Sequence, residues 1–442
     1  MTHPFIYRNC LTSFCVFALL GIVPAYADGP ATGMESARLD VPLLGPAAIL
    51  PSRTLVPLTE DSDLSLMTLI FGAQTGLEYN SNIYRASTSE QSDLIATLSP
   101  RIALKSNLAK HRLDMSVTPE IGRYLSESKN NYVDWDSRMR GRYDVSLTNA
   151  LSLDARYRKG HVAIGSFEDE PTATLQEPVT YDQFDLGAQW EGQQNLLHYA
   201  AGTSWHSYDY ENVLREDTTT SIQDDRDRDV IELTGKLGYE FISSFVTYVR
   251  GSFNSRSYDT RVDSSAVYTR DSDGYGVALG LSRDIPESPF RFDAYVGYLA
   301  QNYDATQLDD VSAPDAHFDG SWQITPADLF TLSLDREVKD TNTDGVSSTL
   351  QSNLAAELVH DFTEQFALGA HTAYTNSNYQ TNLSVATLDR EDHIYEAGLG
   401  ARYSLWQNVD LRMDYTYRDR ESNQALTDYA AHIAGISLSI DY

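Results

Sequence analysis

From Met67 onward the sequence runs with a period of two. LSLDARYR places Leu151, Leu153, Ala155 and Tyr157 on one face and Ser152, Asp154, Arg156 and Arg158 on the other. VDLRMDYTYR sets Val409, Leu411, Met413, Tyr415 and Tyr417 against Asp410, Arg412, Asp414, Thr416 and Arg418. FRFDAYVGY opposes Phe290, Phe292, Ala294, Val296 and Tyr298 to Arg291 and Asp293, and LFTLSLD reads the same way. Successive side chains of a β-strand point to opposite faces, so alternation sustained over segment after segment specifies half-apolar strands.

An aqueous sandwich alternates as well, and the connections separate the two. Short polar turns recur at SNLAKH from Ser106, TNALSLD from Thr148, GQQNLLHY from Gly192 and ISSFVTY from Ile242. They continue at PESPFRFD from Pro286, TPADLFTLSLD from Thr325, TEQFALG from Thr363 and LWQNVDLRMD from Leu405. Between them lie longer polar stretches such as YRASTSEQ, SFEDEPTATLQEP, REDTTTSIQDDRDRD and VKDTNTDGVSS. Short and long connections in strict rotation are the pattern of outer-membrane barrels, with short periplasmic turns and long extracellular loops. Eight short turns and nine long loops predict about 18 strands over 67–442, or 16 to 20 if one hairpin is merged or split. The expected fold is all-β, a closed antiparallel transmembrane β-barrel.

The last residues, HIAGISLSIDY, fit that expectation. An open sheet edge in lipid leaves backbone groups unsatisfied, so a barrel's last strand must pair with its first. Ile436, Leu438, Ile440 and the terminal aromatic Tyr442 also resemble the C-terminal signal read by bacterial barrel-assembly machinery. Trp190 and Trp322 fall near short turns in phase with the apolar rows, where an interfacial girdle would put them.

The start of the chain sets the compartment. Arg8, the apolar run from Leu11 to Val23 and Ala25-Tyr26-Ala27 read as a signal peptide over 1–27. Both cysteines, Cys10 and Cys15, lie inside it, which argues against a disulfide-stapled secreted fold. Residues 28–66 are rich in proline and read as a periplasmic segment, either tether or plug. A net charge of −30 makes nucleic acid an improbable partner, because phosphate binding needs a basic face. No second apolar run is long enough for a transmembrane helix.

In such a barrel the charged rows must face the lumen, since Arg or Lys costs about 2–4 kcal/mol on the lipid face near the midplane. The lumen-facing candidates are Asp154, Arg156, Arg158, Arg291, Asp293, Asp410, Arg412, Asp414 and Arg418. Their mixed signs suit hydrogen bonding to a hydroxyl-rich or anionic solute, and equally suit self-neutralising ion pairs. No catalytic, cofactor or metal constellation emerges. The histidines are scattered and there is no Gly-x-Ser-x-Gly elbow. Asp340-x-Asn342-x-Asp344-Gly345 copies the opening of a calcium loop, but position twelve is Gln351 where the bidentate Glu belongs, and an acidic hairpin loop explains it more simply.

One stretch carries a family resemblance. Gly76 to Met115 contains Tyr79-Asn80-Ser81-Asn82-Ile83-Tyr84, then a polar loop, then Ser92, Asp93 and Ile95 leading to Ser99-Pro100. This resembles the start of the putative β-barrel porin-2 family, with Asn80 in place of the more usual Asp. The resemblance implies an outer-membrane porin of a Gram-negative bacterium. Members often accompany exopolysaccharide or capsule synthesis, so it further implies a polymer exit channel, with a periplasmic polysaccharide-export lipoprotein as a possible partner. A porin for uptake of small solutes is the alternative.

Overall fold

The computed structural model describes residues 67–106, 108, 110–162, 175–242, 244–259, 268–285, 288–341, 346–381 and 390–442. The expected signal peptide and the 28–66 segment lie outside the described residues, as do Asn342, Asp344 and Gly345 of the calcium-like motif. The first wall strands are β1 (Met67–Asn80), β2 (Asp93–Ser106), β3 (His111–Tyr124), β4 (Tyr132–Asp144), β5 (Asn149–His161), β6 (Thr180–Gln194) and β7 (Leu197–Tyr210). A two-residue ribbon, β8 (Val213–Leu214) with β9 (Thr220–Ser221), sits in the loop after β7. The wall resumes with β10 (Arg228–Ile242), β11 (Phe245–Tyr258), β12 (Ser272–Arg283), β13 (Phe290–Tyr303), β14 (Val311–Thr325) and β15 (Asp328–Lys339). It ends with β16 (Val346–Asp361), β17 (Phe366–Thr381), β18 (Glu391–Trp406), β19 (Val409–Ser422) and β20 (Tyr429–Asp441).

These 18 wall strands form one antiparallel sheet in which each pairs with its neighbours in the chain. β20 then pairs with β1 from Gly72↔Asp441 to Asn80↔Ile433 and closes the ring. Phe71 and Tyr442 exchange both main-chain hydrogen bonds, at 2.8 and 2.6 Å, so the pairing extends to the terminal aromatic. All eight short connections expected from the sequence join strand ends on one rim, and the nine longer ones join strand ends on the other. Closure gives every wall strand a partner on each side, which is what a sheet in hydrocarbon requires.

The apolar rows face outward and are exposed, as at Leu279, Val296 and Leu399. Two bands of outward aromatics bound them. Tyr395 and Tyr403 on β18, and Trp135 and Tyr143 on β4, are each eight residues apart. That separation is roughly 27 Å along a strand and about 20 Å along the normal of a barrel tilted near 40°. On the short-turn rim the rings touch from strand to strand, Phe245 to Phe292 to Phe318. Trp190 and Trp322 lie on the same outward rows.

One ladder is interrupted for a reason visible in the sequence. β14 and β15 share seven registered pairs, from Thr325↔Asp328 to Phe318↔Leu334, all toward the short-turn rim. Above them Arg336 donates to the Pro314 carbonyl at 3.3 Å, so that carbonyl faces β15. A residue's N–H and C=O point to the same neighbour in an antiparallel ladder, and proline has no N–H to give. Pro314 therefore deletes a bond that would hold β15 in the wall. The upper arm of β15 instead packs Val338 against Leu299, Tyr303, Val311 and Ala313, which carries it over the interior face of β13 and β14.

Candidate functional site

The interior of the barrel is the one surface where polar chemistry is concentrated. Each strand contributes every second residue to it, so parity alone assigns the face. Asp154, Arg156 and Arg158 lie opposite the exposed Leu153 and Tyr157 of β5. The Arg156 Nε donates to Asp136 on β4 at 2.9 Å, and the Arg158 Nε lies 3.7 Å from the same carboxylate. Asp154 remains exposed within the interior. Arg291 and Asp293 lie opposite Phe290, Val296 and Tyr298 on β13. Asp293 accepts from Lys236 Nζ at 2.6 Å and from the Tyr248 hydroxyl, while Lys236 also stands 3.6 Å above the Tyr248 ring. On β19 Asp410 accepts from Ser404 at 2.7 Å, and Arg418 pairs with Glu396 at 2.9 Å. Arg412 and Asp414 occupy the same interior row, half-buried. The nine candidates thus fall into three separate groups around the wall.

A basic stretch runs along one part of this interior to the short-turn rim, despite the negative net charge. Arg138, Arg140 and Arg142 follow one another on the inner face of β4, beside Arg156 and Arg158 of β5. Arg142 reaches Asp144 at 3.0 Å and is paired with Glu191, yet remains largely accessible. Ion pairs at accessible positions exchange readily with other partners, because each contributes little in water.

The long-loop half holds two apolar cores among the described residues. Val162, Leu175, Val179, Tyr181, Tyr208, Tyr210, Val213 and Val230 form one apolar core, built by two loops folded against the inner faces of β6, β7 and β10. A second core gathers on Leu299, Tyr303, Leu308, Val311, Ala313 and Val338. Between the two cores lies an ion-pair cage that sequence reading missed. Asp340, just beyond β15, is ion-paired with Arg228, whose Nε lies 2.9 Å from one carboxylate oxygen, and accepts a hydrogen bond at the other from an Arg256 terminal nitrogen at 2.5 Å. The side chains are 3 % exposed for Arg228, 4 % for Arg256 and 8 % for Asp340. The Arg228 guanidinium stacks 4.4 Å from the Tyr208 ring and lies 5.8 Å from that of Tyr258. Arg256 donates further to the Val338 carbonyl at 2.9 Å. Asp340, the first residue of the calcium-like motif, is thus engaged by arginines, and no group of three metal-ligating side chains occurs among the described residues.

Histidines scattered in sequence are joined to carboxylates by strand register. His161 Nδ1 lies 2.9 Å from Asp134, His317 Nδ1 2.9 Å from Asp335 and His206 Nδ1 2.8 Å from Asp185. His206 Nε2 also meets Ser204 Oγ at 3.0 Å, which reproduces the connectivity of an acyl-transfer triad. Such chemistry also needs donors aimed at the oxyanion. Ser204 sits mid-strand, registered with Gly187 on one side and Glu232 on the other, so the neighbouring N–H groups are committed to ladders. Among the described residues the interior thus supplies polar contacts and charge, and Ser204 has no oxyanion donors beside it.

A family model described as putative beta-barrel porin 2 matches residues 69–442. No curated protein matches the sequence. Several solved structures are similar in outline at very low identity. The siderophore receptor PirA from Pseudomonas aeruginosa is 8% identical with a TM-score of 0.44, over 85% of this chain and 80% of that one. The outer membrane protein OpdK from Pseudomonas aeruginosa is 10% identical at 0.43, over 85% and 99%. OccAB4 from Acinetobacter baumannii is 11% identical at 0.44, over 86% and 100%. The family model spans the whole closed barrel, from the third residue of β1 to the terminal aromatic, and this chain belongs to the putative β-barrel porin 2 family.

Proposed function

We propose that this porin sits in the outer membrane of a Gram-negative bacterium and serves as the exit channel for an exopolysaccharide or capsular polysaccharide. The observation that carries the reading is the basic stretch on the inner wall, in which Arg138 and Arg140 lead to the exposed Arg142 near the short-turn rim, while Arg156 and Arg158 of β5 continue it toward the long loops. A flexible neutral or acidic glycan needs a wet path of many weak, replaceable hydrogen bonds, since it must leave each contact as readily as it enters. The charged rows Asp154–Arg156–Arg158 and Asp410–Arg412–Asp414 offer such contacts, and the family resemblance supplies the link to surface polymers. In this reading residues 1–27 are removed on export, and 28–66 act in the periplasm as tether or plug. The assembly machinery reads Ile436, Leu438, Ile440 and Tyr442, and a periplasmic export lipoprotein hands over the polymer.

A second reading, uptake of small solutes, is favoured by the two apolar cores on the long-loop side, which narrow the outer mouth. A null strain separates the two. Loss of surface polysaccharide with precursors still made and solute uptake unchanged supports the exit channel. Intact surface polysaccharide together with lost uptake of a sugar or organic acid overturns it. Reversing Arg156, Arg158 and Arg412 to Glu should lower export of an acidic polymer while the barrel still assembles.

A further inference from the structure

The cage of Arg228, Arg256 and Asp340 joins parts of the chain that the wall alone would keep apart. Arg228 opens β10 and Arg256 ends β11, whereas Asp340 follows β15, on the far side of β12, β13 and β14. They meet because Pro314 frees the upper arm of β15, which then crosses the interior. Asp340 is therefore a carboxylate delivered into a receptor formed by two arginines four to five strands away around the wall.

That receptor has the chemistry of a carboxylate site. Two guanidiniums converge on the two oxygens of one carboxyl group, an arrangement suited to organic acids and phosphates. Tyr208 lines it with an aromatic face against Arg228. The Tyr258 hydroxyl, buried beside the same guanidinium, has no hydrogen-bond partner among the described residues. A buried hydroxyl without a partner is costly unless something meets it, and an Asp side chain presents only two oxygens. A hydroxy acid would bring a carboxylate for the arginines and a further oxygen for Tyr258.

We infer that the Arg228–Arg256 cage is a binding site for an organic carboxylate of the sugar-acid class, and that Asp340 occupies it as an internal surrogate that holds the β15–β16 hairpin across the lumen. A solute carboxylate that takes the site releases the hairpin and opens the outer mouth. Because a tethered group competes at an effective concentration in the millimolar range, the free acid acts at millimolar levels or above. It shifts the hairpin only by its preference for the released state. The inference rests on the porin reading and is independent of the cargo.

The test is planar-bilayer conductance of the full chain, with glucuronate as probe and glucose as the uncharged control. Millimolar glucuronate is expected to raise wild-type open probability several-fold, with glucose inert. Asp340→Asn, which keeps the shape and removes the charge, is expected to be open without ligand and to lose most of the glucuronate response. Its assembly is checked by heat-shifted gel migration. Wild-type conductance that is unchanged or blocked by glucuronate overturns the inference, and needs no variant to fold. So does an assembled Asp340→Asn barrel with wild-type conductance.

Discussion

The outward rows make a quantitative prediction at Leu399. It lies four residues from Tyr395 and four from Tyr403, midway between the two aromatic bands on β18, and is 63 % exposed. If that exposure is to hydrocarbon, Leu399→Arg places a guanidinium at the midplane and costs about 2–4 kcal/mol. At 1.4 kcal/mol per decade, this lowers the folding equilibrium roughly 30- to 700-fold. The control is Ser333→Arg, on the interior face of β15. Ser333 is registered with Asp319 and lies two residues from Asp335, so a new arginine there meets acids and water. Its cost should stay below about 1 kcal/mol. The assay is urea-driven unfolding from phosphatidylcholine vesicles, followed by tryptophan fluorescence and by gel migration without boiling. Equal costs for the two variants, or a neutral Leu399→Arg, would show that the apolar rows do not face lipid.

Other consequences follow from the rim, the loops and the interior. Deleting Tyr442 removes the main-chain pair with Phe71 and the last position of the proposed assembly signal, so folded protein in the membrane should be depleted; normal levels would refute both roles. Asp227, in the loop before β10, is raised by burial to about 6, so its folded form holds a proton more tightly than the unfolded chain does. Stability should therefore fall as pH rises from about 4 to 6, and Asp227→Asn should increase protease resistance of that loop at pH 8 but not at pH 4. Ser204 should not be labelled by a fluorophosphonate, since its triad-like contacts lack oxyanion donors; stoichiometric labelling lost in Ser204→Ala would reverse that conclusion.

What the sequence made legible was what local chemistry controls. Period-two rows fix the strands, and turns such as Thr363 to Phe366 fix the hairpins, so count, rim and facing follow with no tertiary knowledge. The interior position of Asp154, Arg156 and Arg158 follows from the same parity that puts Leu153 outside. The cage did not emerge, because Arg228 and Asp340 are brought together by an interrupted ladder rather than by spacing. The signal was nevertheless in the text. Pro314 stands in a segment that otherwise reads as a wall strand, where a missing N–H must loosen one neighbour. The His–Asp pairs were hidden for a different reason. His161 and Asp134 sit on adjacent strands, and reading them as partners needs the register of β4 against β5.

A single closed barrel stands or falls on the seam between the first and last strands. Phe71 and Tyr442 form a hydrogen-bonded pair, so by alternation Gln74 and Ser439 form a non-hydrogen-bonded one, with α-carbons about 4.5 Å apart. That distance suits a disulfide. With both positions changed to cysteine, oxidation of the outer-membrane fraction should give an intramolecular bond and a boiled chain whose gel mobility is restored by reductant. Cysteines that stay free in folded, heat-modifiable protein, or that link only between chains, would contradict it.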